Sequence, residues 1–241
     1  MLERLIDHAA LFPPASMSLP EALAEDRAAR ESAYAHLLNR FVVPAAKLEE
    51  LPGERPPLSV VLSGRDDVAL VDGVDGVEAV ELVLDGARPQ PADLIATYRA
   101  LEPLGVETYF ELVLDDGWRD DVPAAIGSVA AVGGRVKLRC GGASVPSVEQ
   151  VALVIACCRD ARVPFKATAG LHHALRHDGE HGFLNVLAAT TAPLPELESV
   201  LAEEDAAALD VSDADRSLFV GFGSCSWREP VDDLVELGLL S

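Results

Sequence analysis

Aromatic side chains make up only 5% of these 241 residues, and the basic ones are outnumbered, 19 against 40, for a net charge of -21. So acidic a surface excludes nucleic acids and anionic membranes as partners, because both are polyanions. An anionic ligand would need a locally basic pocket. Cysteine is scarce: Cys140, Cys157, Cys158 and Cys225 show neither zinc spacing nor a secreted disulfide pattern. The longest purely apolar run, VALVIACC, is far too short to span a bilayer. The opening MLERLIDHAALFPPAS has early acidic residues and no long apolar core, unlike a secretory signal. Dinucleotide and Walker glycine motifs are missing, and no strand–turn–helix elbow surrounds a serine. These absences point to a reduced, cytoplasmic protein that needs no cofactor and acts on a small molecule.

What is present is a 49% hydrophobic chain with a steady rhythm. Short β-branched runs end in Gly, Pro, Asp or Ser, and most lead into a helical stretch. Strands are expected at LIDHAAL, RFVVP, LSVVLSG, VEAVELVLDG, VETYFELVLD, GRVKLRCGG, VPFKATAG and SLFVGFGSCS. Helical patterns are clearest at 19–38, 91–103, 119–131, 147–160 and 180–208, the segment 172–216 having room for two helices. Ser18 with Glu21, and Ser147 with Gln150, have capping-box spacing. Strands alternating with helices form parallel βαβ units. Eight such units with no break in composition predict a single α/β domain over 1–241, a closed (β/α)8 TIM-type barrel. An open doubly wound sheet is the alternative.

Alternation along barrel strands gives each side chain a face. In VELVLD, Val80, Leu82 and Leu84 suit the helices, which turns Glu81, Val83 and Asp85 inward. In TYFELVL, Phe110, Leu112 and Leu114 pack outward, leaving Tyr109, Glu111 and Val113 inside. By the same parity Lys137 and Arg139 of RVKLRC point in, as do Lys166, Thr168 and Gly170 of PFKATAG. Four consecutive strands therefore aim charges into one space. Buried charge is costly unless paired. A buried ion-pair layer that merely fills the barrel is one reading. The other is an active site, since barrel cores are normally apolar and sites form at the C-terminal strand ends.

Two neighbouring lysines are expected to lower each other's pKa, freeing an amine to form a Schiff base with a carbonyl compound. Glu111, or else Glu81, could move protons, and Arg139 could bind a carboxylate or phosphate. This pattern resembles the class I aldolases of the deoxyribose-phosphate aldolase type. The resemblance implies a barrel with a Schiff-base lysine on strand 6, a second lysine on strand 7 and a phosphate loop at strand 8. Lys137 and Lys166 would take the lysine positions, and GFGSCSW would place Gly223, Ser224 and Ser226 at the anion. That family follows its strand-6 lysine with Thr-Ser-Thr-Gly, and KATAG matches this nearly as well as the segment after Lys137, so either lysine is open as nucleophile. The implied activity is a lyase or aldolase reaction on a small carbonyl compound bearing phosphate or carboxylate. DHAALFPPA, FKATAGLHH and HGFLNV also resemble a set of bacterial proteins, a likeness that implies nothing about chemistry.

His172 and His173 fall just past strand 7, where they could meet substrate or anchor a loop. With Asp7 they could instead hold a divalent metal for a lyase or hydrolase. A third possibility is a non-catalytic ligand-binding barrel. His177 and His181 sit in a polar loop that could act as a lid. Barrels often associate, so a homo-oligomer is compatible with the chain, although no exposed stripe marks an interface.

Overall fold

The computed structural model describes residues 2–83, 91–142 and 145–240, giving the backbone alone at 83 and 91–93. Its elements run β1 (Ile6–His8), α1 (Leu19–Arg30), β2 (Leu38–Pro44), β3 (Leu58–Leu62), α2 (Val68–Val71), β4 (Val77–Val83), α3 (Pro91–Leu101) and β5 (Glu107–Glu111). They continue α4 (Trp118–Val132), β6 (Arg135–Arg139), α5 (Val148–Ala161), β7 (Phe165–Thr168), α6 (Phe183–Ala189), α7 (Leu197–Ala202), β8 (Phe219–Ser224) and α8 (Arg228–Glu236). The strands are parallel and close in chain order, β8 pairing with β1. The expected barrel is what forms. No helix among the described residues is long and apolar enough to cross a membrane.

Outward strand residues such as Val80, Phe110, Val136, Leu138, Phe165 and Ala167 join buried helix residues in one apolar cluster between barrel and helices. Both expected capping boxes form, at Ser18–Glu21 and at Ser147–Gln150. Helix lengths differ from the sequence reading. The pattern over 19–38 breaks after Arg30, where the Ser32 hydroxyl donates to the Ala29 carbonyl, and β2 begins at Leu38. The 180–208 stretch splits into α6 and α7 where Pro193 precedes a short 3-10 turn. Helix α8 lies in an acidic segment outside those patterns, and it buries Pro230, Val231 and Leu234.

The ladder register sets two inward rows near the C-terminal mouth. Glu111, Lys137, Lys166 and Gly221 are successive partners from β5 to β8. Two residues further along, Arg139, Thr168, Gly223 and Asp7 continue around to β1. The opposite end is closed by ion pairs: Arg40 and Arg135 both reach Glu107, at 2.9 and 2.8 Å. Asp85, expected to face inward, lies outside the described residues.

Candidate active site

Lys166 lies deep in the barrel, where its Nζ contacts the Asp7 carboxylate and, at 2.6 Å, Glu81 Oε1. Lys137 Nζ lies 3.0 Å from Glu81 Oε2 and 2.9 Å from Glu111 Oε2. The charges thus alternate along a chain of contacts: Asp7, Lys166, Glu81, Lys137, Glu111. Remaining lone pairs are also used. The Ser59 hydroxyl donates to Glu81 at 2.6 Å, and the Asn39 amide and Arg40 N–H donate to Asp7 at 2.8 and 3.1 Å. A buried ion pair is tolerable only with such full satisfaction.

A cavity of about 500 Å³ opens at the C-terminal mouth. Glu81, Glu111, Lys137 and Arg139 line one side and the floor, and Phe12, Pro13, Pro14, Val42 and Val61 line the other. Lys137 reaches this cavity, whereas Lys166 is 1% exposed, does not line it, and borders instead the cavity at the opposite end of the barrel. A second cavity, of about 560 Å³, lies at the N-terminal end among Arg4, Arg40, Glu78 and Glu107. Those four side chains are already paired with one another. At the mouth, the turns after β6 and β7 touch. A Cβ on Gly141 would sit 2.7 Å from the Gly170 Cα, and Gly170 itself has φ +64.

No protein-family model matches the chain, and the search of curated proteins found no match. Solved structures do match. One described as QR15, an aldolase, superposes with a TM-score of 0.62 at 12% identity over 99% of this chain and 97% of that one. The tetrameric deoxyribose phosphate aldolase from Aeropyrum pernix superposes with a TM-score of 0.64 at 13% identity over 98% and 92%. The chain shares the barrel fold of these two aldolases.

Within this aldolase fold the two lysines occupy strands 6 and 7, but the expected mutual depression of their pKa values is overturned. Glu81 lies between them. Burial alone would lower Lys166, yet Asp7 and Glu81 hold it above the ordinary lysine range. Lys137 is likewise pulled down by burial and raised further by Glu81 and Glu111. Burial would raise Glu81, but Lys166 and Lys137 keep it far below the usual carboxylate range. Both lysines are therefore held as ammonium groups.

The other candidates divide between cavity and scaffold. Arg139, Thr168, His172 and Gly223 line the aldolase-fold cavity. Arg139 Nη1 stands 3.9 Å from Glu111, and the Thr168 hydroxyl is buried with no partner among the described residues. His173 is turned to Asp233 of α8 at 3.3 Å. His172 Nδ1 lies 3.1 Å from Glu229 of the same helix. The Cys225 sulfur and Glu229, acting against burial, raise its pKa to about 9. Ser224 donates to the Ser226 carbonyl at 2.6 Å, and the Ser226 hydroxyl accepts from the Glu229 N–H at 3.4 Å, so neither serine lines the cavity. The Asp7/His172/His173 metal set does not converge: Asp7 is committed to Lys166, and the histidines to α8. No group of three or more His, Cys, Asp or Glu side chains among the described residues is arranged to hold a metal. His181 is buried rather than part of a mobile lid, and its Nε2–H donates to the Pro146 carbonyl at 2.8 Å.

Sequence reasoning missed two features of this barrel. Asp7 partners Lys166, but a three-residue strand is too short for parity to show it. Glu180 reaches the cavity from a tight hairpin, with Asp178 at φ 46 and Gly179 at φ 85. The Asp-Gly pair in HDGE was the available signal.

Proposed function

We propose that this protein is a lyase of the Schiff-base aldolase kind, acting on a small carbonyl compound that bears an anionic group, with Lys137 as nucleophile. The observation that carries this reading is that Lys137 is the lysine of the buried chain that reaches the cavity, with Glu111 2.9 Å from its Nζ. Glu81 is shared between both ammonium groups and Ser59, whereas Lys137 is the lysine that Glu111 contacts, so Glu111 is the proton acceptor. The Lys137 ammonium gives it a proton, and the free amine attacks the substrate carbonyl carbon. A C–N bond forms, and the carbonyl oxygen leaves as water after protonation. Glu111, having returned its proton to the departing water, then takes the proton of a β-hydroxyl as the iminium draws in the electron pair of the adjacent C–C bond, releasing an aldehyde and leaving an enamine. Protonation at carbon and hydrolysis free the second product and the lysine. Lys166 is a positioning residue that orients Glu81 against Lys137.

Borohydride reduction in the presence of small aldehydes, ketones and keto acids, read by intact mass and peptide mapping, tests the assignment. A stable adduct on Lys137, lost in Lys137→Ala, is expected. An adduct on Lys166 would transfer the nucleophile's role, and turnover that survives both substitutions would sink the reading. The tetrameric Aeropyrum pernix enzyme supports a homo-oligomer for this chain as well, and light scattering would establish its mass.

A further inference from the structure

The two sides of the mouth cavity differ in kind. Over β6 and β7 stand Arg139 and Thr168, direct neighbours across the ladder. The Arg139 Nε–H donates to the Gly141 carbonyl at 2.9 Å, which fixes the guanidinium plane. A Cβ at Gly142 would lie 2.6 Å from Nη2, so glycine there makes room for the group. Nη2 has no hydrogen-bond partner among the described residues and is a spare donor one row above Lys137. A guanidinium end with two parallel N–H groups matches a carboxylate. The facing wall, over β1 to β3, is Ala9, Phe12, Pro13, Pro14, Val42 and Val61.

The turn after β8 is unsuited to a phosphate. The Ser224 hydroxyl donates to a backbone carbonyl, and neither Ser224 nor Ser226 lines the cavity. Glu229 places a carboxylate in the first turn of α8, where the helix would otherwise attract an anion. Glu111 and Glu180 line the same cavity, and they repel a phosphate dianion more than a carboxylate.

We propose that the substrate is an unphosphorylated keto acid with an apolar substituent, its carboxylate bound by Arg139 and its substituent against the Phe12–Pro14 wall. This inference rests on the Schiff-base reading for the placement of the carbonyl at Lys137.

The test is borohydride trapping on the full chain with pyruvate, 2-oxohexanoate, acetone and glyceraldehyde 3-phosphate, paired with calorimetric binding of the two keto acids without reductant. Pyruvate is expected to trap at a concentration at least tenfold below acetone and the phosphorylated aldehyde, and 2-oxohexanoate lower still. Arg139→Gln should shrink the advantage of pyruvate over acetone at least tenfold. The proposal is overturned if the phosphorylated aldehyde traps at the lowest concentration, if Arg139→Gln leaves that advantage intact, or if 2-oxohexanoate is weaker than pyruvate. Should no probe give an adduct, the nucleophile assignment falls, and calorimetry decides this inference separately. Keto-acid binding weakened tenfold by Arg139→Gln sustains it, and absence of keto-acid binding overturns it.

Discussion

Replacing Lys166 by methionine strips Asp7 and Glu81 of their shared cation in a site where both are buried. Removing one partner of a buried pair costs about 3–5 kcal/mol, so denaturant unfolding of Lys166→Met should show a loss of that order together with lost turnover. Lys137→Met should abolish borohydride trapping at a smaller stability cost, because Glu81 keeps Lys166 and Ser59 and Glu111 borders the cavity. Equal losses in the two variants would mean that both lysines are chiefly structural. At this scale parity along VELVLD, TYFELVL, RVKLRC and PFKATAG was enough to point Glu81, Glu111, Lys137 and Lys166 inward. Parity could not say which charge would lie between which. The reversal of the lysine pKa shifts follows from Glu81 standing between the amines, a fact of three dimensions.

The turns that follow β6 and β7 form a unit that depends on two glycines in contact. Gly141→Ala would drive a Cβ into the Gly170 backbone, separating Arg139 from Thr168. Its expected signature is a KM raised at least tenfold with a modest loss of stability, measured by steady-state kinetics and unfolding. The turn after β7 is tied to α8 through His172 and Glu229. The His172 pKa is about 9 in the folded chain against about 6.5 unfolded. Its contribution to stability is therefore full below about pH 6.5 and is lost as pH rises through about 9. A Tm series from pH 6 to 10 should fall more steeply for the native protein than for His172→Gln. Equal slopes would place the pH dependence elsewhere. Strand runs and caps were legible as elements. Loop anchoring was one of the roles open to LHH, but its partner was not legible, because α8 lies in an acidic segment 60 residues away in sequence from His173.

Closure of the barrel makes every strand depend on two neighbours, β1 on β8 included. Unfolding is therefore expected as one transition, with far-ultraviolet circular dichroism and tryptophan fluorescence coinciding. Separate midpoints would show independently folding parts. The net charge of -21 adds self-repulsion to the compact state. Because salt screens that repulsion, Tm should rise as sodium chloride is added, and a fall would mean that attractive ion pairs dominate.

The amino-acid order by itself determined the alternation of strands with helices, and with it the barrel and the inward direction of its charges. Those properties depend on short-range periodicity, which each segment carries within itself. Only the tertiary structure decided that Asp7 holds Lys166, that Glu81 lies between the lysines, that Lys137 alone of the two reaches the cavity at the C-terminal mouth, and that the serines after β8 stay out of it. Each of these is a distance between segments far apart in the chain. Such distances are set by ladder register and barrel closure, which local pattern does not encode.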